Sequence, residues 1–195
     1  MAINLENFFR KLLFARQLKI REGYLEIFDT PYVLFPAESF SSLIDDIIKT
    51  GGKKGKINIY KEGIKIGKNI AKVIKRTTGA KGDELMDAIF KVGGMGGWGL
   101  WKIYRKNDSK KEGIVHASNI ATANFKFHSK KRNEPSCHLL RGIMTGELRE
   151  IWNSSNIEAI ETRCISQGHK FCEFIAKRRK DFDKKNKFVK NQLEI

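Results

Sequence analysis

The stretch Ile157-Glu-Ala-Ile-Glu-Thr-Arg-Cys-Ile-Ser-Gln-Gly-His-Lys-Phe-Cys-Glu-Phe-Ile-Ala176 holds two of the three cysteines of the chain. Ile157 to Ile165 and Lys170 to Ala176 alternate in polarity and flank Ser166-Gln-Gly-His169, the pattern of a β-hairpin. With Gly168 at the centre of the turn, Cys164 and Cys172 each lie four residues away and oppose one another. Opposed residues bring their Cβ atoms to roughly 4.5–5.5 Å, so both sulfurs can converge on one point. The third cysteine, Cys137, opens the preceding helix, Ser136 to Trp152, which carries Leu139, Leu140, Ile143, Leu148 and Ile151. Pro135 suits its first turn. The helix N-terminus favours a thiolate at Cys137.

Working back towards the N-terminus, Ala121 to Phe127, Glu112 to His116 and Trp98 to Arg105 read as strands. Gly93-Gly-Met-Gly-Gly-Trp-Gly99 reads as a flexible turn into the last of these. It lacks the spacing of a phosphate-binding loop. Gly82 to Val92 is expected to be a helix. Ahead of it, Ile57, Tyr60, Ile64, Gly67, Ile70, Ala71 and Ile74 recur at helical spacing. Thr50-Gly-Gly-Lys-Lys-Gly55 reads as a loop after a helix over Glu38 to Lys49. Leu18 to Phe28 and Tyr32 to Phe35 read as short strands, and Asn4 to Gln17 as a helix. These segments divide into residues 1–52, 53–178 and a basic tail, 179–195.

Composition narrows the function classes. The 195 residues are 41% hydrophobic and carry a net charge of +16, compatible with a folded core. No apolar run reaches the roughly 18 residues of a membrane span, and the first residues lack signal-peptide features. Three cysteines make no secreted disulfide framework, so a soluble cytoplasmic protein is expected. The charge is localised. Lys49 to Arg76 carries a net +9 and Lys177 to Lys190 a net +6. Lys61, Lys65, Lys68 and Lys72 form a stripe that is either a solvated helix face or a contact for nucleic-acid phosphates. The tail is a frayed end, a short helix or an electrostatic arm.

Three convergent thiolates point to a soft divalent metal, with zinc the first choice. For the fourth ligand, Glu161 lies three residues before Cys164, although strict alternation puts the two on opposite faces, so a bulge is required. His138 and His169 are rivals. A Cys164–Cys172 disulfide, or three buried thiols without a ligand, are the alternatives.

Cys137-His-Leu-Leu-Arg-Gly-Ile-Met-Thr-Gly-Glu147 and Ile160-Glu-Thr-Arg-Cys-Ile-Ser-Gln-Gly-His-Lys-Phe-Cys-Glu-Phe174 resemble the 4-vinyl reductase domain family. The shared features are the leading cysteine, a glycine-containing helix, Glu-x-x-Cys, and a cysteine eight residues later. The likeness is clear from Gly113 to Lys177 and weaker back through Tyr60-x-x-Gly63. In aromatic-sensing members such a set binds zinc, so the resemblance implies Cys137, Glu161, Cys164 and Cys172 as ligands and favours Glu161 over the histidines. It also implies an α/β (α+β) fold, an antiparallel sheet with packed helices, related to a subunit of the vesicle-tethering transport-particle complex. Such proteins are often homodimers with an apolar pocket for small molecules. The ATPase and DNA-binding modules of the aromatic-sensing regulators have no counterpart motif in this sequence.

The leading expectation is therefore a stand-alone domain, held by structural zinc, that binds a small apolar or aromatic ligand. Trp98, Trp101, Tyr104, Phe125 and Phe127 are candidates to line the pocket, with His116 as a polar contact. A basic nucleic-acid-binding or transcription-regulatory partner protein is the second class. The third is an accessory protein of tetrapyrrole metabolism, for which no catalytic base or nucleophile is identifiable.

Overall fold

The structure, a computed structural model, describes residues 18–123 and 131–193. Strands β1 (Leu18–Arg21), β2 (Tyr24–Ile27) and β3 (Thr30–Tyr32) form an antiparallel meander. Helices α1 (Ala37–Thr78) and α2 (Gly82–Met95) follow, then β4 (Leu100–Asn107) and β5 (Glu112–Ser118). Helix α3 (His138–Ile151) precedes β6 (Ile157–Arg163) and β7 (Cys172–Arg178), and α4 (Lys187–Gln192) ends the described chain. The second sheet has the order β4-β5-β7-β6, with every neighbouring pair antiparallel. The expected α+β architecture is thus present.

Alternation assigns the faces of this sheet. Trp101 pairs with Ala117, and Ala117 with Cys172, so these three side chains share one face. They join Val115, Phe174, Ala176 and Ala159 in the main core, against Leu140, Met144 and Leu148 of α3. A second core unites the meander with the helices through Leu18, Phe28, Ala71, Ile74, Leu85 and Ile89. On the other face of the sheet, Ile160 meets Phe182, Val189 and Leu193 from the C-terminal segment. That segment is a short helix capped by Asn186, whose Oδ1 accepts from the Phe188 N–H at 2.8 Å.

Helices α1 and α3 cross at backbone contact. A Cβ at Gly67 would overlap the carbonyl oxygen of Ile143, and one at Gly142 would stand 2.9 Å from the Cα of Gly63. Only glycine permits that approach.

Several elements differ from expectation. The loop expected over 50–55 is helical. Only Gly52 departs, with φ 53° and ψ −133°, and this kinks α1. A single left-handed glycine suffices to redirect a helix without ending it. The strand expected over Leu18–Phe28 is two strands, because Gly23 turns the chain at φ 70°. Ala121–Ala123 forms a 3-10 turn rather than a strand, and the rest of that expected strand, like the helix expected over Asn4 to Gln17, lies outside the described residues. Among the described residues no helix is long and apolar enough to cross a membrane.

Candidate metal centre

Cys137 immediately precedes α3, Cys164 follows β6, and Cys172 opens β7. Glu161 pairs with Phe174, but Arg163 pairs with Glu173, so one residue is inserted at Thr162. This is the bulge that the spacing required. It turns Cys164 to the same side as Glu161. Gly168, at φ 87°, then closes the connection after a 3-10 turn over Ile165–Gln167, in place of a tight hairpin.

The three sulfurs form a nearly equilateral triangle. Cys137 lies 3.7 Å from Cys164 and 3.7 Å from Cys172, and Cys172 lies 3.8 Å from Cys164. A disulfide needs about 2.05 Å. A tetrahedral zinc with Zn–S near 2.3 Å needs sulfurs about 3.8 Å apart. One donor atom from each of Cys137, Glu161, Cys164 and Cys172 lies within 4.8 Å of all the others, and all four residues are buried.

The surrounding donors favour anions here. The Cys137 N–H donates to Glu161 Oε2 at 3.1 Å, while Glu161 Oε1 is buried without a partner. The Ile165 N–H donates to Cys172 Sγ at 3.3 Å. The Ser136 hydroxyl donates to Ser166 Oγ, which lies 3.1 Å from Cys164 Sγ. Hydrogen bonds from the Cys137 and Cys172 thiols pull the Cys164 thiol far below its ordinary value. Hydrogen bonding to Cys164 raises Cys137. Cys172 gains a lowering bond from Cys137, but hydrogen bonding to Cys164 and burial together push it up. Burial also raises the Glu161 carboxyl. Without a cation the cluster thus holds one negative charge, on Cys164. A soft donor set with one orphaned carboxylate oxygen fits a divalent metal ion.

Glu161 is held at the outer edge of β6, and the groups that cap this edge carry no signature in the sequence. The Gln192 side chain accepts from the Glu161 N–H at 2.8 Å and donates to its carbonyl at 2.7 Å. Arg141 donates to the Ala159 carbonyl at 2.8 Å. Tyr60, in turn, donates to Glu158 at 2.5 Å and accepts from the Ala159 N–H at 3.3 Å. Only the four-residue spacing of Arg141 from Cys137 hinted at a role.

The other candidate residues are not brought together. Trp98 borders a cavity of about 30 Å³ shared with Phe40, Ser41, Asp45, Arg132, Cys137 and Leu140. Trp101 stacks between Phe90 and Phe174 at the core. Tyr104 and His116 stack 4.7 Å apart on the opposite face of the sheet, with Phe171 beyond them at 4.3 Å. Phe125 and Phe127 lie outside the described residues. His138 is buried rather than on the surface, and burial lowers its pKa to about 3. His169 is exposed. Neither histidine joins the cluster. Lys61, Lys65, Lys68 and Lys72 are exposed along α1, with Lys65 paired to Glu62 and Lys68 to Glu150.

No curated protein matches the chain. The 4-vinyl reductase domain family matches residues 120–178. Among solved structures, the phenol-responsive sensory domain of the transcription activator PoxR, solved with phenol, is similar at TM-score 0.76 and 15% identity, over 94% of each chain. A vinyl-4-reductase family protein from Methanocaldococcus jannaschii is similar at TM-score 0.52 and 23% identity, over 75% of this chain and 83% of its own. A trafficking protein particle complex subunit 3 from Naegleria fowleri, covalently bound to palmitic acid, is similar at TM-score 0.51 and 12% identity, over 73% of this chain and 94% of its own. The chain therefore carries a 4-vinyl reductase domain in residues 120–178, within a fold that it shares with these three structures.

Proposed function

We propose that this chain is a small-molecule-binding, sensor-type domain closed by a structural zinc ion. The observation that carries the metal is the triangle of buried sulfurs at 3.7–3.8 Å, beside a carboxylate oxygen with no partner. Cys137, Cys164, Cys172 and Glu161 would fill all four positions of a tetrahedral ion, which leaves no open site for catalysis. The ion would tie the start of α3 to the β6–β7 connection. Free cysteines in this number suit a reducing, cytoplasmic setting.

The small apolar or aromatic ligand is supported by the likeness to a phenol-responsive domain over nearly the whole chain. Its proposed entry is the cavity between Phe40, Trp98 and the start of α3, which touches Cys137 directly. At about 30 Å³ the cavity has room for a water or two. An aromatic ring would enter as the edge-to-face pair of Phe40 and Trp98, centroids 5.5 Å apart, separates. A homodimer belongs to the same reading. Val33, Leu34, Phe35, Leu43 and Ile47 are large apolar residues left exposed, a surface that a second copy would cover.

Native mass spectrometry of freshly purified protein tests these elements together. One zinc per chain, a dimer and a retained small molecule are expected. Less than about half an equivalent of zinc in the wild type, or full retention in Cys164→Ala, overturns the metal assignment. Titration with phenol, followed by calorimetry on the zinc-loaded protein, tests the ligand class. No heat at millimolar phenol counts against it.

The exposed lysine row of α1 favours a second reading, contact with nucleic-acid phosphates. Duplex binding that falls steeply with salt would support it, and no binding at low salt would remove it.

A further inference from the structure

Arg141 is the largest fully buried side chain among the described residues. It lies one helical turn after Cys137, whose carbonyl accepts from the Arg141 N–H at 2.8 Å. The guanidinium carbon stacks 3.8 Å from the centroid of the Tyr60 ring, and Nη1 donates to the Ala159 carbonyl. Nε is buried with no partner, and no carboxylate pairs with this guanidinium among the described residues. A buried cation without a counter-ion is strongly unfavourable. Leucine or methionine would fill the space without that penalty, so packing does not account for an arginine.

The candidate centre supplies what is missing. Ala159, which Arg141 grips, lies two residues before Glu161 on the same side of β6, and Cys137 binds Glu161 from the same helix that carries Arg141. The charge of Arg141 interacts favourably with Glu161 and, on the Tyr60 side, with Glu158. Three thiolates and one carboxylate carry four negative charges, and a divalent ion neutralises two. The remainder is a buried dianion, which needs a cation close by.

We propose that Arg141 is the counter-cation of the metal-loaded Cys137–Glu161–Cys164–Cys172 centre, a positioning residue that sets how tightly a divalent ion is held. The inference rests on the metal reading above. In that reading the excess charge of Arg141 is compensated only when the ion is present, because only then are all four ligands ionised together.

Zinc affinity by competition with a chromophoric chelator tests it in the full chain, for the wild type, Arg141→Met and Arg141→Lys. The Met variant keeps volume and loses charge, and its Kd for zinc should rise about 10- to 100-fold. The Lys variant keeps the charge and should stay within about threefold of the wild type. Equal affinity in Met and wild type overturns the proposal. So does equal weakening in Met and Lys, which would assign Arg141 to packing. A wild type that binds no zinc removes the metal reading itself, a distinct result. If the Met variant does not fold, the Arg141 Nε–H resonance of the wild type is followed through a zinc titration. A shift that saturates at one equivalent is expected, and an unmoved resonance overturns the proposal.

Discussion

Helix α3 is fastened at two places by opposite means. At its N-terminus, Cys137 meets Glu161, Cys164 and Cys172, where four acidic groups crowd together and only a cation makes their joint ionisation favourable. One turn further on, Gly142 and Gly146 meet Gly63, Gly67 and their neighbours on α1, where what matters is the absence of any side chain. The first contact depends on charge and on an ion, so chelators, acid and ligand substitutions will release it. The second is steric and independent of solution conditions. A single helix thus links a chemically adjustable joint to a fixed one, and perturbing each separately shows which of them holds the fold.

The largest effect is expected at the adjustable joint. Cys164→Ala, or removal of metal from the wild type with a strong chelator, should lower stability by at least ~5 kcal/mol, a modest share of the ~10–16 kcal/mol associated with structural zinc in small zinc-folded peptides. Denaturant unfolding with and without chelator checks this, and the chelator should have no further effect on the variant. At the fixed joint, Gly67→Ala drives a methyl group into the Ile143 carbonyl, which is backbone and cannot swing aside. Overpacking of this kind should destabilise by about 3 kcal/mol, equally with and without chelator. A chelator-dependent loss in Gly67→Ala would show that the two joints are one unit.

A pH effect separates them further. Glu147 follows Gly146 on α3, is buried, and has its pKa raised to about 8 by burial alone. Because the folded pKa exceeds the unfolded one, stability is full below about pH 4.5 and falls as pH rises to about 8. Glu147→Gln should therefore match the wild type near pH 4.5 and exceed it by about 2–3 kcal/mol at pH 8. Urea unfolding at three pH values checks the slope, and parallel curves would remove this role for Glu147.

How much of this was legible beforehand follows from where each interaction is encoded. The cysteine spacing about Gly168 and the Glu-x-x-Cys interval are local, so the opposed sulfurs and the need for a bulge at Thr162 could be read from residue order alone. The glycine contacts of α1 and α3 pair residues that are 75 or more positions apart in the chain, such as Gly67 and Gly142, and no local pattern marks which glycines will meet. The kink at Gly52 escaped because Gly51-Gly-Lys-Lys-Gly55 has the composition of a loop, whereas packing of Gly55 against Ile47 keeps both sides helical. Tyr104 and His116 fell on the other side of the sheet from Trp101, because the register shift between Ile103 and Arg105 interrupts strict alternation in β4.

The smallest effect concerns the support of Glu161 rather than the ligand itself. Gln192 forms two hydrogen bonds with the Glu161 backbone, in the way a neighbouring strand would, and so closes the edge of β6 where no strand follows. Gln192→Ala leaves a buried N–H and a buried carbonyl without partners, which costs about 1–2 kcal/mol. The loss falls beside the metal ligand, so it should appear in the readouts of both joints to different degrees: a modest drop in stability by denaturant unfolding, and a zinc Kd raised severalfold because Glu161 is less firmly aimed. Gly67→Ala, of larger effect on stability, should leave the zinc Kd of the folded protein unchanged. If Gln192→Ala lowers stability without touching zinc affinity, the edge of β6 belongs with the fixed joint, and the position of Glu161 is set by Cys137 and the bulge alone.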